Sequence, residues 1–269
     1  MTASTANVKG APAPIWQKLR FDARQAAEQE PSLSSYLAAT VLNHENFSEA
    51  LCYQLAQKAG GQDMSALAIR EICEEAYTRE PAIVAAAERD LQAVLDRDPA
   101  TRSTLQPFLF FKGYLALQTH RVAHALWGQG RETLAFFFQS RSSELYGVDI
   151  HPAAPIGSGV FIDHATGIVI GETARVGDDV SMLHGVTLGG TGKVHTDRHP
   201  KIGNGVLLGA GSKVLGNIRV GDEARVGSGS VVLSDVPPRC SVAGVPAKPV
   251  GGACMKPAQT MDQKFDMGL

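Results

Sequence analysis

The chain has 269 residues, is 44% hydrophobic and carries a formal net charge of −2. That length suits one large or two modest domains, and a balanced charge without a basic block argues against nucleic acid or an anionic membrane as the main partner. No apolar run approaches the roughly 20 residues that cross a bilayer, and the four cysteines, Cys52, Cys73, Cys240 and Cys254, form no CxxC pair, so reduced thiols in a cytoplasmic protein are expected.

Residues 1–13 are rich in Ala, Thr and Pro and lack an apolar h-region, which excludes a secretory signal and predicts a disordered lead-in. Residues 14–147 read as helices. The stretch 63–79 opens with Asp63 as N-cap and sets Met64, Ala68, Ile72 and Ala76 on one face. The stretch 112–127 carries Leu115, Val122 and Leu126 and stops at Gly128 and Gly130. A last helix runs from Arg131 through Leu134, Phe137, Phe138 and Leu145 to Tyr146, where Gly147 ends it. Pro31, Pro81 and Pro99 each predict a nearby helix start. Phe108, Phe110, Phe111, Phe136, Phe137 and Phe138 cluster ahead of the next segment, as core or as a contact with another copy.

From Val148 the grammar changes. Aliphatics recur every sixth residue as Ile150, Ile156, Ile162, then Ile170, Val176, Met182, Leu188, then Ile202, Leu208, Val214, Val220, Val226, Val232. A period of six fits neither an amphipathic helix nor an alternating strand. It fits a coil with three flat faces, each one hexad long, whose aliphatics stack inward from rung to rung. Residues 148–250 are therefore expected to form a left-handed parallel β-helix, with 251–269 as a flexible tail, so that the whole is an α+β multidomain chain. A preceding helical layer would cap the open end of such a stack, whose terminal rung exposes unpaired backbone groups.

Specific chemistry belongs where a repeat is violated. The step from Ile162 to Ile170 is eight and contains Asp163-His164-Ala165-Thr166-Gly167. The step from Leu188 to Ile202 is fourteen, read here as two residues more than two hexads. It holds Gly189-Gly190-Thr191-Gly192 at its root and Asp197-Arg198-His199 near its end. Both insertions are polar and both contain histidine.

These segments resemble the bacterial serine O-acetyltransferases. The resemblance rests on Val148-Asp149-Ile150-His151-Pro152-Ala153-Ala154, Asp163-His164-Ala165-Thr166-Gly167, Val186-Thr187-Leu188-Gly189-Gly190-Thr191-Gly192-Lys193, Asp197-Arg198-His199-Pro200-Lys201-Ile202 and Ala243-Gly244-Val245-Pro246-Ala247. Asn43-His44-Glu45-Asn46, Arg70-Glu71 and Arg97-Asp98-Pro99-Ala100 match in the helical half. The likeness spans about residues 14–250. It implies transfer of acetyl from acetyl-CoA to the L-serine hydroxyl, the first step of cysteine biosynthesis, with acetyl-CoA as co-substrate and no metal or bound cofactor.

A hydroxyl is a poor nucleophile until its proton leaves, and histidine suits that task at neutral pH. Taken alone, a histidine is most often a packing residue; the break and the motif together select His164 as general base. Asp149 precedes it by fifteen residues, close to one turn of a coil of about 18 residues. The resemblance assigns Asp149 as the partner that orients the ring. Asp98 and Asp163 would receive the ammonium, Arg198 would fork onto the carboxylate and His199 would add a donor. Gly190 is the candidate amide for the oxyanion. Acetyl-CoA would lie between the stacks of two subunits, with Ala210 and Ser228 leaving room for its arm and Arg225 and Lys248 meeting its phosphates.

The resemblance further implies feedback inhibition by L-cysteine, a homotrimer joined into a hexamer by the helices, and a C-terminus that docks into O-acetylserine sulfhydrylase. Met261-Asp262-Gln263-Lys264-Phe265 is similar to that family tail, although this chain ends in Leu269 where the family usually has isoleucine. A pure binding module, whose C-terminal tail docks into a partner enzyme, and two rival enzymes stand beside this reading. One is another hexapeptide acyltransferase, with a sugar or drug hydroxyl as acceptor. The other is a zinc carbonic anhydrase of the β-helix type, enlisting His164, His184 and His199. The pair His120 and His124 has metal-like spacing but no His-Glu-x-x-His motif, and reads as structural.

Overall fold

The computed structural model describes residues 15–192, 196–252 and 255–264. The expected lead-in lies outside that set, as do Lys193 to His195, Ala253, Cys254 and the last five residues with Leu269. Among the described residues, fourteen short strands follow from the hexads: β1 (Val148–Ile150), β2 (Phe161–Ile162), β3 (Ile168–Ile170), β4 (Arg175–Val176), β5 (Ser181–Met182), β6 (Thr187–Gly189), β7 (Lys201–Ile202), β8 (Leu207–Leu208), β9 (Lys213–Leu215), β10 (Arg219–Val220), β11 (Arg225–Val226), β12 (Val231–Val232), β13 (Ser241–Gly244) and β14 (Ala247–Pro249). They stack in parallel as three faces, β1-β3-β6-β9-β12, β4-β7-β10 and β2-β5-β8-β11-β13, with β14 antiparallel on β13. This is the left-handed parallel β-helix that the period of six predicts. Of the thirteen phased aliphatics, all are buried except Ile156, which is half-buried.

The corners explain the glycines and acids of the repeat. A Cβ on Gly177 would lie 2.9 Å from the backbone carbon of Gly203 on the next coil, closer than real side chains tolerate. Beside that column runs a ladder of short acceptors. Asp178 Oδ1 accepts from Ser158 N, Asn204 Oδ1 from Asp178 N and Asp222 Oδ1 from Asn204 N, at 2.7, 2.8 and 2.8 Å. Each turn thus hands one backbone donor to the neighbouring coil.

The register corrects one expectation. Ile202 pairs with Val176, so it lies on the face that follows Leu188 directly. The second insertion therefore exceeds a single hexad by eight residues; it does not exceed two hexads by two. Periodicity counts residues but does not say which face a chain re-enters after a loop.

The helical half comprises α1 (Ile15–Gln29), α2 (Ser34–Leu37), α3 (Phe47–Ala59), α4 (Ala66–Arg79), α5 (Ala82–Arg97), α6 (Leu105–Phe110), α7 (Lys112–Gly128) and α8 (Glu132–Tyr146). A π-turn, Ala38–Leu42, follows α2. The N-cap of α4 is Ser65, which accepts from Ala68 N at 3.2 Å; Asp63 does not take that role. Pro81 begins α5, whereas Pro99 follows its C-cap Asp98 and precedes α6 by six residues. Gly147 ends α8 in a left-handed conformation at φ 66. Phe108 and Phe138 are core, while Phe110 and Phe136 are exposed. Among the described residues, no helix is long and apolar enough to cross a membrane.

The helix α7 is buried almost all round and closes the top of the stack. His124 donates from Nδ1 to Pro152 O and His120 from Nε2 to Ala154 O, at 2.7 and 3.0 Å. Arg121 donates to Ile156 O and Gly157 O. Asp90 of α5 accepts from Val160 N at 2.9 Å and from Arg121 and Gln118. Burial pushes the Asp90 carboxyl up; Arg121, Gln118 and the Val160 amide oppose it. A charge pair fully removed from water survives only with such complete hydrogen bonding. Pro257–Thr260 forms a further short helix, α9, which packs on the flank of the stack. The stretch 255–264 is thus docked where the sequence predicts a flexible tail, because Pro257 and Ala258 are buried and Ser181 Oγ donates to Ala258 O.

Burial drives the His120 imidazole from its usual value down to about 3. The unfolded chain, titrating near 6.5, takes up that proton first. The resulting stability is present above about pH 6.5 and is lost as pH falls from there toward about 3. A His120→Gln variant should therefore show a shallower fall in urea midpoint between about pH 7 and 5 than the parent chain. Equal slopes for both would remove His120 from the acid response.

Candidate active site

The strand β3 has a polar cluster at each end. The first is built by the insertion before it. Asp163 N donates to Met182 O and Gly167 N to Gly147 O, so the loop 163–167 is pinned to the next coil and to the end of α8. His164 and Ala165 both take left-handed backbone, at φ 58 and 60. Two such non-glycine residues cost about 1–3 kcal/mol each, which fits a loop shaped for chemistry more than for stability. His164 Nε2 lies 3.5 Å from Asp163 Oδ2, and its ring meets His184 at 6.0 Å.

Asp98 enters the same cluster from the C-terminus of α5. Its carboxylate is fixed by Ala100 N at 2.8 Å and Thr101 Oγ1 at 2.6 Å. The buried Arg97 holds that end of α5 by donating to Asp179 O, Val180 O and Ser181 Oγ. Asp98, Asp163 and His164 line one cavity of about 660 Å³ with Phe110, Phe111 and Lys112. Lys112 donates to Thr166 on its rim. Burial pushes the Asp163 carboxyl up, the like charge of Asp98 adds to this, and His164 opposes it. Two carboxylates beside one imidazole suit an ammonium and an attacking hydroxyl.

The second cluster follows β3. Arg198 Nη2 donates to Glu172 Oε2 at 2.6 Å, which holds the Glu172 carboxyl below the usual range. The hydroxyl of Thr173 accepts from Arg198 N and His199 N at 3.0 and 3.1 Å. Its proton is then free for His199 Nδ1, at 2.8 Å, which also accepts from Thr173 N. With two donors at Nδ1, the neutral ring carries its proton on Nε2. That N–H lies against Gly171 and near Gly190, and a Cβ at Gly171 would run into the ring. Burial, first, and then Arg198 lower the His199 imidazole, so it is a neutral donor at physiological pH.

The structure thus brings Asp98, Asp163 and His164 together, and Arg198, His199 and Gly190 together, but at opposite ends of β3. Asp149 sits at the centre of β1 opposite Val169. Among the described residues no hydrogen bond or ion pair joins it to His164 within one chain; its carboxylate accepts from Gln139. Arg225 donates to Asp262 O and Lys264 O, and Ser228 to Gln263, so the docked tail covers both. Ala210 is half-buried on the turn before β9, and the exposed Lys248 lies on β14. Sequence reasoning missed Glu172 and Thr173. Ordinary corner positions carry the same residue types, so nothing local marks them. Among the described residues, no group of three or more His, Cys, Asp or Glu side chains is placed to hold a metal ion.

A stack of hexads with an exposed histidine between carboxylates on one corner and a positioned arginine and histidine on the other fits a hexapeptide-repeat acyltransferase. Residues 199–234 match the bacterial transferase hexapeptide family (six repeats), and residues 15–119 match the serine acetyltransferase N-terminal family. The serine acetyltransferase of Salmonella typhimurium is 53% identical over 253 residues, covering 94% of this chain and 93% of that protein. The crystal structure of serine acetyltransferase from Vibrio cholerae superposes with a TM-score of 0.93 at 54% identity, covering 95% of this chain and all of that one. A serine acetyltransferase in complex with cysteine gives 0.92 at 50% identity, covering 93% and 98%. The chain belongs to the serine acetyltransferases, enzymes that use acetyl-CoA as co-substrate.

If His199 serves the substrate carboxylate through Nε2, Thr173→Val should raise the serine KM about tenfold, the scale of one lost charge-assisted hydrogen bond, with a smaller change in kcat. Thiol-release kinetics measure it. An unchanged KM would separate the His199 tautomer from serine binding.

Proposed function

We propose that this chain acetylates the L-serine hydroxyl by direct attack on acetyl-CoA at a site shared between two protomers. The observation that carries this is the split of the site residues to the two ends of β3. A three-residue strand spans roughly 10 Å, and serine is too short to touch both ends of it. The hexapeptide-repeat fold favours trimers, and packing three stacks side by side would set the His164 corner of one protomer against the Arg198 corner of the next. Asp98 and Asp163 then take the ammonium while Arg198 and His199 of the neighbour take the carboxylate. That arrangement presents the hydroxyl to His164.

His164 removes the hydroxyl proton as the oxygen attacks the thioester carbonyl. The tetrahedral oxyanion is met by a backbone amide at Gly190, and collapse expels the CoA thiolate, to which the imidazolium returns its proton. Asp149 orients and stabilises the imidazolium. Acetyl-CoA runs along the groove past Ala210 and Ser228, with Arg225 and Lys248 near its phosphates. Since residues 262–264 lie on Arg225 and Ser228 here, CoA reaches those two side chains only once that segment moves aside. L-Cysteine carries the same ammonium and carboxylate as serine and competes for their site.

Two trimers join through the helical halves as a hexamer, and a cytoplasmic location fits the free thiols of Cys52 and Cys73. An apolar residue beside a free terminal carboxylate mimics an amino acid at the chain tip. The C-terminus therefore docks into O-acetylserine sulfhydrylase.

Three measurements test these roles. His164→Ala should stay folded and lose about 10²–10⁴-fold in turnover, with Asp149→Asn costing less; near-normal turnover in folded His164→Ala would remove it from the mechanism. Initial-rate kinetics should show cysteine competing with serine, and absence of competition would rule out a shared site. Deleting Gly268 and Leu269 should abolish calorimetric binding to the sulfhydrylase of the same organism while acetyl transfer persists; no heat from the intact chain at micromolar concentration would end the docking assignment.

A further inference from the structure

Beside Asp149 stands a polar group to which no role above falls. Gln139, on α8, donates from Nε2 to Asp149 Oδ1 at 2.5 Å. Its own Oε1 is buried and has no hydrogen-bond partner among the described residues. Asp149 is therefore what fixes the orientation of this amide: a flipped amide would set oxygen against carboxylate. The two residues are also rigidly related. Only Gly147 separates α8 from β1, and its N–H closes on Ser143 O. Phe138, next to Gln139, is buried in the core, and so are Val148 and Ile150 on either side of Asp149.

That framing fixes where the carboxylate stands but leaves its twist free, because rotation about the last side-chain bond of Asp is soft. A carboxylate that orients an imidazole needs that twist held. The Gln139 amide holds it and occupies Oδ1, which leaves Oδ2 for the ring. A neutral donor suits this place, since an acid would set a second negative charge against Asp149. The pair lines a surface depression of about 470 Å³ with Phe136, Ser140, Ser143 and Glu144, so a group from outside the protomer can reach it.

We propose that Gln139 is a positioning residue for acetyl transfer, holding Asp149 so that its second oxygen faces the imidazole of the base. This rests on the reading of Asp149 and His164 as orienter and base. The test is a double-mutant cycle in the full-length enzyme, assembled as it purifies, with Gln139→Leu, Asp149→Asn and the two combined. Gln139→Leu should lower kcat about tenfold, the loss expected when a base loses its orienter's alignment, and leave both KM values within about twofold. Added to Asp149→Asn, it should cost nothing further, whereas a purely structural residue would cost the same factor in both backgrounds. Gln139→Asn, too short to reach Oδ1, replaces Gln139→Leu if that variant does not fold. Additive losses, or full turnover in Gln139→Leu while Asp149→Asn is impaired, overturn the proposal alone. Full turnover in Asp149→Asn overturns the assignment of Asp149, and the role of Gln139 with it.

Discussion

The first coil of a β-stack has no coil above it, and its upward carbonyls must find donors elsewhere or lose the free energy of a buried, unpaired polar group. In this chain the donors are side chains of one helix. His124, His120 and Arg121, spaced along α7, reach Pro152, Ala154, Ile156 and Gly157, and Asp90 takes the Val160 amide. His120, Arg121 and His124 inside α7 are thus explained by the backbone they satisfy. The same contacts fix the helical half on the stack, and that placement brings Asp98 beside Asp163 and Gln139 beside Asp149. The placement of both pairs thus depends on these capping side chains.

The two polar clusters rest on two kinds of local structure. At the His164 end the backbone carries the constraint, through consecutive left-handed residues in a loop whose two ends are tied to Met182 and Gly147. At the Arg198 end side chains carry it, through one threonine hydroxyl that serves two amides and an imidazole. The first arrangement aims an imidazole that stays exposed; the second buries a neutral donor and fixes its proton. Both are held by elements of the same coil, so their separation is set by a strand of three residues and not by a flexible linker.

The period of six was sufficient for the three-faced stack, because inward aliphatics at fixed spacing leave a backbone little alternative. It was blind to the face that Ile202 re-enters, since any loop length restarts the count. Start signals in the helical half failed where two caps competed, as with Asp63 and Ser65, because either side chain suits the role. His164, Asp163, Asp98, Arg198 and His199 were legible as a set only through the family resemblance. Their division into two clusters was not, because a sequence has no spatial order. Spacing alone placed Asp149 near one coil from His164, but the residue opposite it is Val169, twenty positions on, eighteen for the coil and two for the insertion. Glu172 and Thr173 carried no local mark, and the docked stretch 255–264 has no period to betray it.

Because corner glycines let successive coils touch, the stack behaves as a ruler with two independent settings. Lys213 to Val231 and Leu207 to Arg225 each advance one coil and return to the same face after eighteen residues. A length change of eighteen residues would slide everything beyond it by about 4.8 Å along the axis without turning it, whereas a change of six would swing it to another face. Evolution can therefore lengthen or shorten the stack in whole steps while the facing of each corner is preserved, and intermediate changes in length are confined to loops that leave the stack and rejoin it in phase, as the eight extra residues before Ile202 do.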